Sequence, residues 1–175
     1  MKSLPARNYF KTAIALLVVI PIAAYLYIAV KQSFNRRNPI ELYERKLKAA
    51  PESVKANNDM AVAYEKKGMH DKAISVYNRM LTKDSNNPDL YVNLAAIQIK
   101  KRNPESAIAL CEKAIELEPG NATAHNNLAV AYYLQGDYEL AIEQCDLAIK
   151  YGYKVKSELL NLLKPYREQE ETNEH

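Results

Sequence analysis

Tyr132–Cys145, YYLQGDYELAIEQC, lies sixty-eight residues after Tyr64–Tyr77, YEKKGMHDKAISVY, and the two stretches agree at Tyr64 and Tyr132, Gly68 and Gly136, Ala73 and Ala141, and Ile74 and Ile142. Sixty-eight is twice thirty-four. Halfway between them, QIKKRNPESAIALC (Gln98–Cys111) loses the Tyr and the Gly, which becomes Arg102, but keeps Ala107-Ile108 in register. Read backwards, the same register aligns Met60-Ala61, Leu94-Ala95 and Leu128-Ala129, so three consecutive units fill 54–87, 88–121 and 122–155 without insertion. A period of this length marks a repeat architecture.

The spacing inside a unit specifies its shape. In the third unit Leu128, Ala129 and Tyr132 form one helical stripe, and Ala141, Cys145 and Ala148 form another. Gly136-Asp137 interrupts the two, as the Gly68 region and Asn103-Pro104 do in the other units, which predicts helix, short turn, helix. Ala61, Ala95 and Ala129 on the first helices and Ala73, Ala107 and Ala141 on the second allow the paired backbones to approach closely, toward about 8 Å between axes. No unit can cover both stripes by itself, so the units must stack into an all-α solenoid.

These units resemble tetratricopeptide repeats. The third matches the pattern at Leu128-Ala129, Tyr132, Gly136, Ala141 and Ala148, and the second closes on the expected Pro119. The opening aromatic position holds Asn57, Tyr91 and His125, and the closing proline is replaced by Ser85 and Tyr153. The register runs past both ends: Ile40–Ala49 has the pattern of a second helix, which makes 31–53 a basic linker and N-terminal half repeat. In it Lys46 stands where Met80, Ala114 and Ala148 stand in later units. Leu159, Leu160, Leu162 and Leu163 predict a capping helix over 156–168, followed by an acidic tail over 169–175.

The remaining segment is of a different kind. After a short basic tail, 1–11, the nineteen residues Thr12–Val30 carry no charge. As a helix they span about 28 Å, against a hydrocarbon thickness of about 30 Å. Tyr9 and Phe10 flank one end and Tyr25 and Tyr27 lie near the other, as interfacial aromatic residues do. Small residues do not precede a cleavage point, since Tyr25-Leu26-Tyr27-Ile28 stands there. The expectation is a single transmembrane helix, 12–30, that remains attached.

Charge divides the chain in the same way. Residues 1–50 hold nine Lys or Arg against two Glu, whereas 51–155 hold twelve against fourteen acidic residues. The basic collar Lys31, Arg36, Arg37, Arg45, Lys46 and Lys48 suits anionic headgroups or serves to fix topology, and leans the solenoid toward the cytoplasmic side. A slightly acidic body gives no support for nucleic-acid binding. His70, His125 and His175 do not converge, and no metal spacing, phosphate loop or nucleophile motif is present, so neither an enzyme nor a cofactor is expected. Cys111 and Cys145 share one column of adjacent repeats, too far apart for a disulfide, and read as small core residues.

What the resemblance implies is protein binding. In tetratricopeptide proteins the first helix of each repeat lines a concave groove for peptide segments of partners. Carried over, the lining is Asn58, Asp59, Val62 and Glu65 in the first repeat, Val92, Asn93, Ala96 and Ile99 in the second, and Asn126, Asn127, Val130 and Tyr133 in the third. Asn93 and Asn127 form a ladder whose amides suit an extended peptide backbone. Of the residues with which one subfamily grips a terminal carboxylate, only Asn93 stands in place. Asn58, Val62, Thr123 and Asn127 hold the other positions. The expected protein is an adaptor or scaffold of the kind found among small bacterial membrane proteins, tethered to the inner membrane. A holdase-like assembly factor and a self-associating structural subunit are the alternatives.

Overall fold

The computed structural model describes residues 20–33 and 39–173, with side chains up to 168. The tail 1–11, the first part of the Thr12–Val30 span (12–19), Arg36 and Arg37 of the collar, and His175 lie outside the described residues. Within them are nine helices and no strand. Residues 20–33 form α1, which is exposed throughout. No described helix is long and apolar enough to cross a membrane.

The other eight are α2 (Pro39–Ala49), α3 (Val54–Lys66), α4 (His70–Leu81), α5 (Pro88–Lys100), α6 (Pro104–Leu117), α7 (Ala122–Gln135), α8 (Tyr138–Lys150) and α9 (Ser157–Asn173). First helices start at Val54, Pro88 and Ala122 and second helices at His70, Pro104 and Tyr138, so both starts recur every thirty-four residues. Capping explains the regularity. Ser53, Asn87 and Asn121 hold the same place, and each accepts a hydrogen bond from a backbone N–H of the first turn. Between the helices of each unit the column Gly68, Arg102, Gly136 takes positive φ, at 71°, 58° and 98°.

The opening column of the repeat is filled by three different side chains with one task. Asn57 Nδ2 donates to the Pro51 carbonyl at 3.1 Å, Tyr91 Oη to the Ser85 carbonyl at 2.9 Å, and His125 Nε2 lies 3.0 Å from the Pro119 carbonyl. Each reaches the carbonyl six residues earlier and so pins the first helix to the loop before it. Both ring nitrogens of His125 have a partner, Nε2 the Pro119 carbonyl and Nδ1 the Gln144 Oε1 at 2.8 Å, and the ring stacks on Tyr151. His125 is thereby a satisfied packing residue.

The core is a row of small clusters between neighbouring helices. Ala61, Ala95 and Ala129 are fully buried, as are Ala73, Ala107 and Ala141, so the alanine columns mark the close approaches as expected. Cys111 and Cys145 are buried free thiols. Ile40, Tyr43 and Leu47 of α2 pack on the first cluster and cover it as a half repeat would. Lys46, exposed, places Nζ 5.2 Å from the Tyr43 ring centroid. At the other end Val155, Leu159 and Leu163 seal the third repeat, and α9 runs on to Asn173, into the segment read as an acidic tail.

Candidate functional site

The repeats are not equally spaced, and the cause is side-chain volume. The second-helix column facing the next repeat holds Tyr77, Cys111 and Cys145, and the one beside it holds Met80, Ala114 and Ala148. The first repeat therefore inserts a buried Tyr and Met where the others have a thiol and a methyl, and these pack against Leu90, Leu94 and Ile97 of α5. Large residues there wedge the neighbours apart. Accordingly α5 and α7 lie side by side, whereas α3 and α5 make no comparable approach.

The gap opens as a hollow of about 640 Å³ among the first helices of all three repeats. Its walls are Lys55 and Asn58 from α3, Asp89 and Asn93 from α5 and Thr123 from α7, over a floor that includes Met80 and Leu90. Val54, two-thirds exposed at 67%, forms its apolar rim. A concave space with apolar floor and convergent polar groups is the usual form of a ligand site. Its charge is balanced, with Lys55 against Asp89. At the far end of the same helices, Lys100 Nζ pairs with Glu65 Oε2 at 2.8 Å and Tyr77 Oη donates to Glu65 Oε1 at 3.2 Å, tying α3 to both α4 and α5. Burial first, and the Glu65 charge second, push the Tyr77 phenol well above its ordinary pKa, so it remains a donor.

Of the residues expected in the groove, Asn58, Val92 and Asn93 meet at this hollow. Val92 is only 6% exposed and turns into a cluster with Ala114 and Ala124, so its side chain serves the core more than the surface. Asn127 donates to the Val92 carbonyl at 3.4 Å, which engages one rung of the Asn93–Asn127 ladder within the scaffold. Asp59, Val62, Ala96, Ile99, Asn126 and Val130 are half-buried on the first helices. Tyr133 lies against Tyr138, which stacks on Tyr166 of α9 at 3.7 Å between centroids, so this end of the groove is an aromatic cluster. Lys55, Asn87 and Leu90 were not anticipated, and the signal for them was the Met80, Ala114, Ala148 column, which shows where the stack must open. Among the described residues no group of three or more His, Cys, Asp or Glu could hold a metal ion.

Comparison with known proteins agrees with this architecture. A family profile described as tetratricopeptide repeat matches residues 40–88 and 93–153, and a second of the same description matches 66–111. Among curated proteins nothing matches. Among solved structures, the one described as the first TPR of Spaghetti (RPAP3) bound to HSP90 peptide SRMEEVD superposes with a TM-score of 0.59 at 21% identity, covering 65% of this chain and 89% of that one. A crystal structure of MamA protein gives a TM-score of 0.59 at 24% identity, covering 74% and 72%. The second TPR of Spaghetti with the same peptide gives 0.54 at 22%, covering 63% and 98%. At these identities the likeness is one of fold.

Proposed function

The chain belongs to the tetratricopeptide repeat family, and from that premise we propose that it is a protein-interaction adaptor that takes a peptide segment of a partner into the hollow between α3, α5 and α7. The supporting observation is the hollow itself: Asn58, Asn93 and Thr123, from three successive repeats, converge on a space that Tyr77 and Met80 hold open. The relative described as bound to HSP90 peptide SRMEEVD carries an acidic ligand. Here the single cation Lys55 is offset by Asp89, so the preferred ligand is a mixed segment, gripped through its backbone by amides, with an apolar side chain on Leu90 and Met80. The adaptor acts beside a bacterial inner membrane, anchored by Thr12–Val30. That anchor rests on nineteen uncharged residues and the basic collar that follows.

The test uses the full chain in its membranes, with a photo-crosslinking amino acid at Asn58 or Asn93 and, as control, at Lys113 on a second helix. Partner adducts should form from the first two positions. Asn58→Ala with Asn93→Ala should then weaken titration of the captured segment roughly five- to a hundredfold, since each lost hydrogen bond is worth about 0.5–1.5 kcal/mol. Equal adducts from Lys113, or unchanged affinity in a folded double variant, would reject the hollow as the site.

A further inference from the structure

A second concavity, of about 550 Å³, lies on the opposite side of α3, between α2 and α4. Leu47, Tyr64 and Val76 contribute its apolar lining, and Lys48, Lys72, Arg79 and Lys83 contribute its cations. Glu52 pairs with Lys83 and Arg79 donates to Asn57 Oδ1 at 2.6 Å, which leaves Glu44 facing Lys48 and Lys72. The basic character is particular to this repeat. Thirty-four and sixty-eight residues later, Lys72 becomes Ser106 and Leu140, Arg79 becomes Lys113 and Leu147, and Lys83 becomes Leu117 and Tyr151. Arg79 is tied into its own repeat through the buried Asn57, whereas the fold forms two repeats on with Leu140 and Tyr151 in place of Lys72 and Lys83.

The complementary charge is in the chain itself. Residues 168–175, EQEETNEH, hold four Glu and no Lys or Arg. Residues 168–173 close α9, which packs on α8, whereas the cleft is built on α2, α3 and α4 at the other end of the row. Two repeats, α5–α8, separate the two within one copy and hold them apart. We propose that the α2–α4 cleft receives the acidic segment 168–175 of a second copy, joining molecules head to tail. Such a contact is heterologous and leaves one cleft and one tail unused at the ends, so it propagates into open chains. It engages a different face from the peptide hollow and does not depend on it.

The full chain in non-ionic detergent should show mass growing with concentration in sedimentation velocity at low salt, and should be monomeric at about 1 M salt, where the screening length falls to about 3 Å. Lys48→Gln with Lys72→Gln, both exposed positions, should raise the dissociation constant at least about tenfold, and so should Glu170→Gln with Glu171→Gln and Glu174→Gln. Mixed in equal amounts, the two variants should recover one good interface and stop at dimers, while Asn58→Ala with Asn93→Ala should leave association unchanged. Monomers at all concentrations would overturn the proposal, as would salt-insensitive association, a mixture that fails to pair, or a cleft that binds phosphatidylserine vesicles while the copies stay apart.

Discussion

At Arg102 the backbone holds φ at 58°, in the column where Gly68 and Gly136 take 71° and 98°. A side chain in this left-handed region costs about 1–2 kcal/mol, of which the greater freedom of an unfolded glycine would return part. Arg102→Gly should therefore stabilise the chain by roughly 0.5–1 kcal/mol in urea melts, and Gly136→Ala should destabilise it by a similar amount. Cys111 offers a pH test. Burial, and then the Glu112 charge, push its thiol up to about 12. The folded state thus disfavours the thiolate, and the stability this provides is complete below the ordinary thiol value of about 8.5 and is lost as pH climbs from there toward 12. Between about pH 8.5 and 9.5 the loss from this one group should be about 1 kcal/mol, and Cys111→Ala should flatten that part of the profile. Alkylation of the native thiol by iodoacetamide should be slow until the protein unfolds.

At the scale of the helix, the alanine columns carry the pairing. Ala141 is fully buried on α8, so Ala141→Leu should overpack the third repeat by about 1–3 kcal/mol, whereas Leu134→Ala, on a partly exposed position, should cost less than about 1 kcal/mol. Equal shifts in urea midpoint would mean that the helix faces are assigned wrongly. This part of the fold was legible because its causes are local and periodic: a small residue every thirty-four positions and a turn column between the pair. The hollow was less legible because it is a departure from the period. Asn58 and Asn93 follow from register alone, but that they open onto free space depends on how far Tyr77 and Met80 displace α5, a distance set by packing. Register likewise placed Val92 on the groove, whereas local packing against Ala114 and Ala124 turns it inward. Asn57, Tyr91 and His125, departures as residue types, turned out equivalent in the carbonyl each one reaches.

At the scale of the molecule, a solenoid's stability is close to a sum of repeat and nearest-neighbour contributions, so a weak junction divides the stack into parts that open separately. The junction between α4 and α5 is the candidate: α3 and α5 do not lie side by side there as α5 and α7 do, and the 640 Å³ hollow opens beside it. Two ion pairs span it, Lys100 with the half-buried Glu65 and the exposed pair Lys101 with Asp71 at 2.6 Å, of which an exposed pair contributes only about 0–1 kcal/mol. Hydrogen exchange should therefore find α2–α4 opening at lower free energy than α5–α9, with the gap widening in salt as those pairs are screened. Met80→Ala separates two causes. If the thioether both fills the core and spaces the repeats, α4 should lose protection by about 2–5 kcal/mol, as large-to-small core changes do, while α7 and α8 change little. A peptide in the hollow would touch α3 and α5 together and add contact across the junction. Saturating peptide should then raise protection in α2–α4 by RT ln(1 + [L]/Kd), about 2.7 kcal/mol at a hundredfold excess over Kd, and leave the third repeat nearly unchanged. Uniform protection along the stack before ligand, or an equal gain in every repeat on binding, would show that the first junction is no weaker than the second and that its open geometry has no part in recognition.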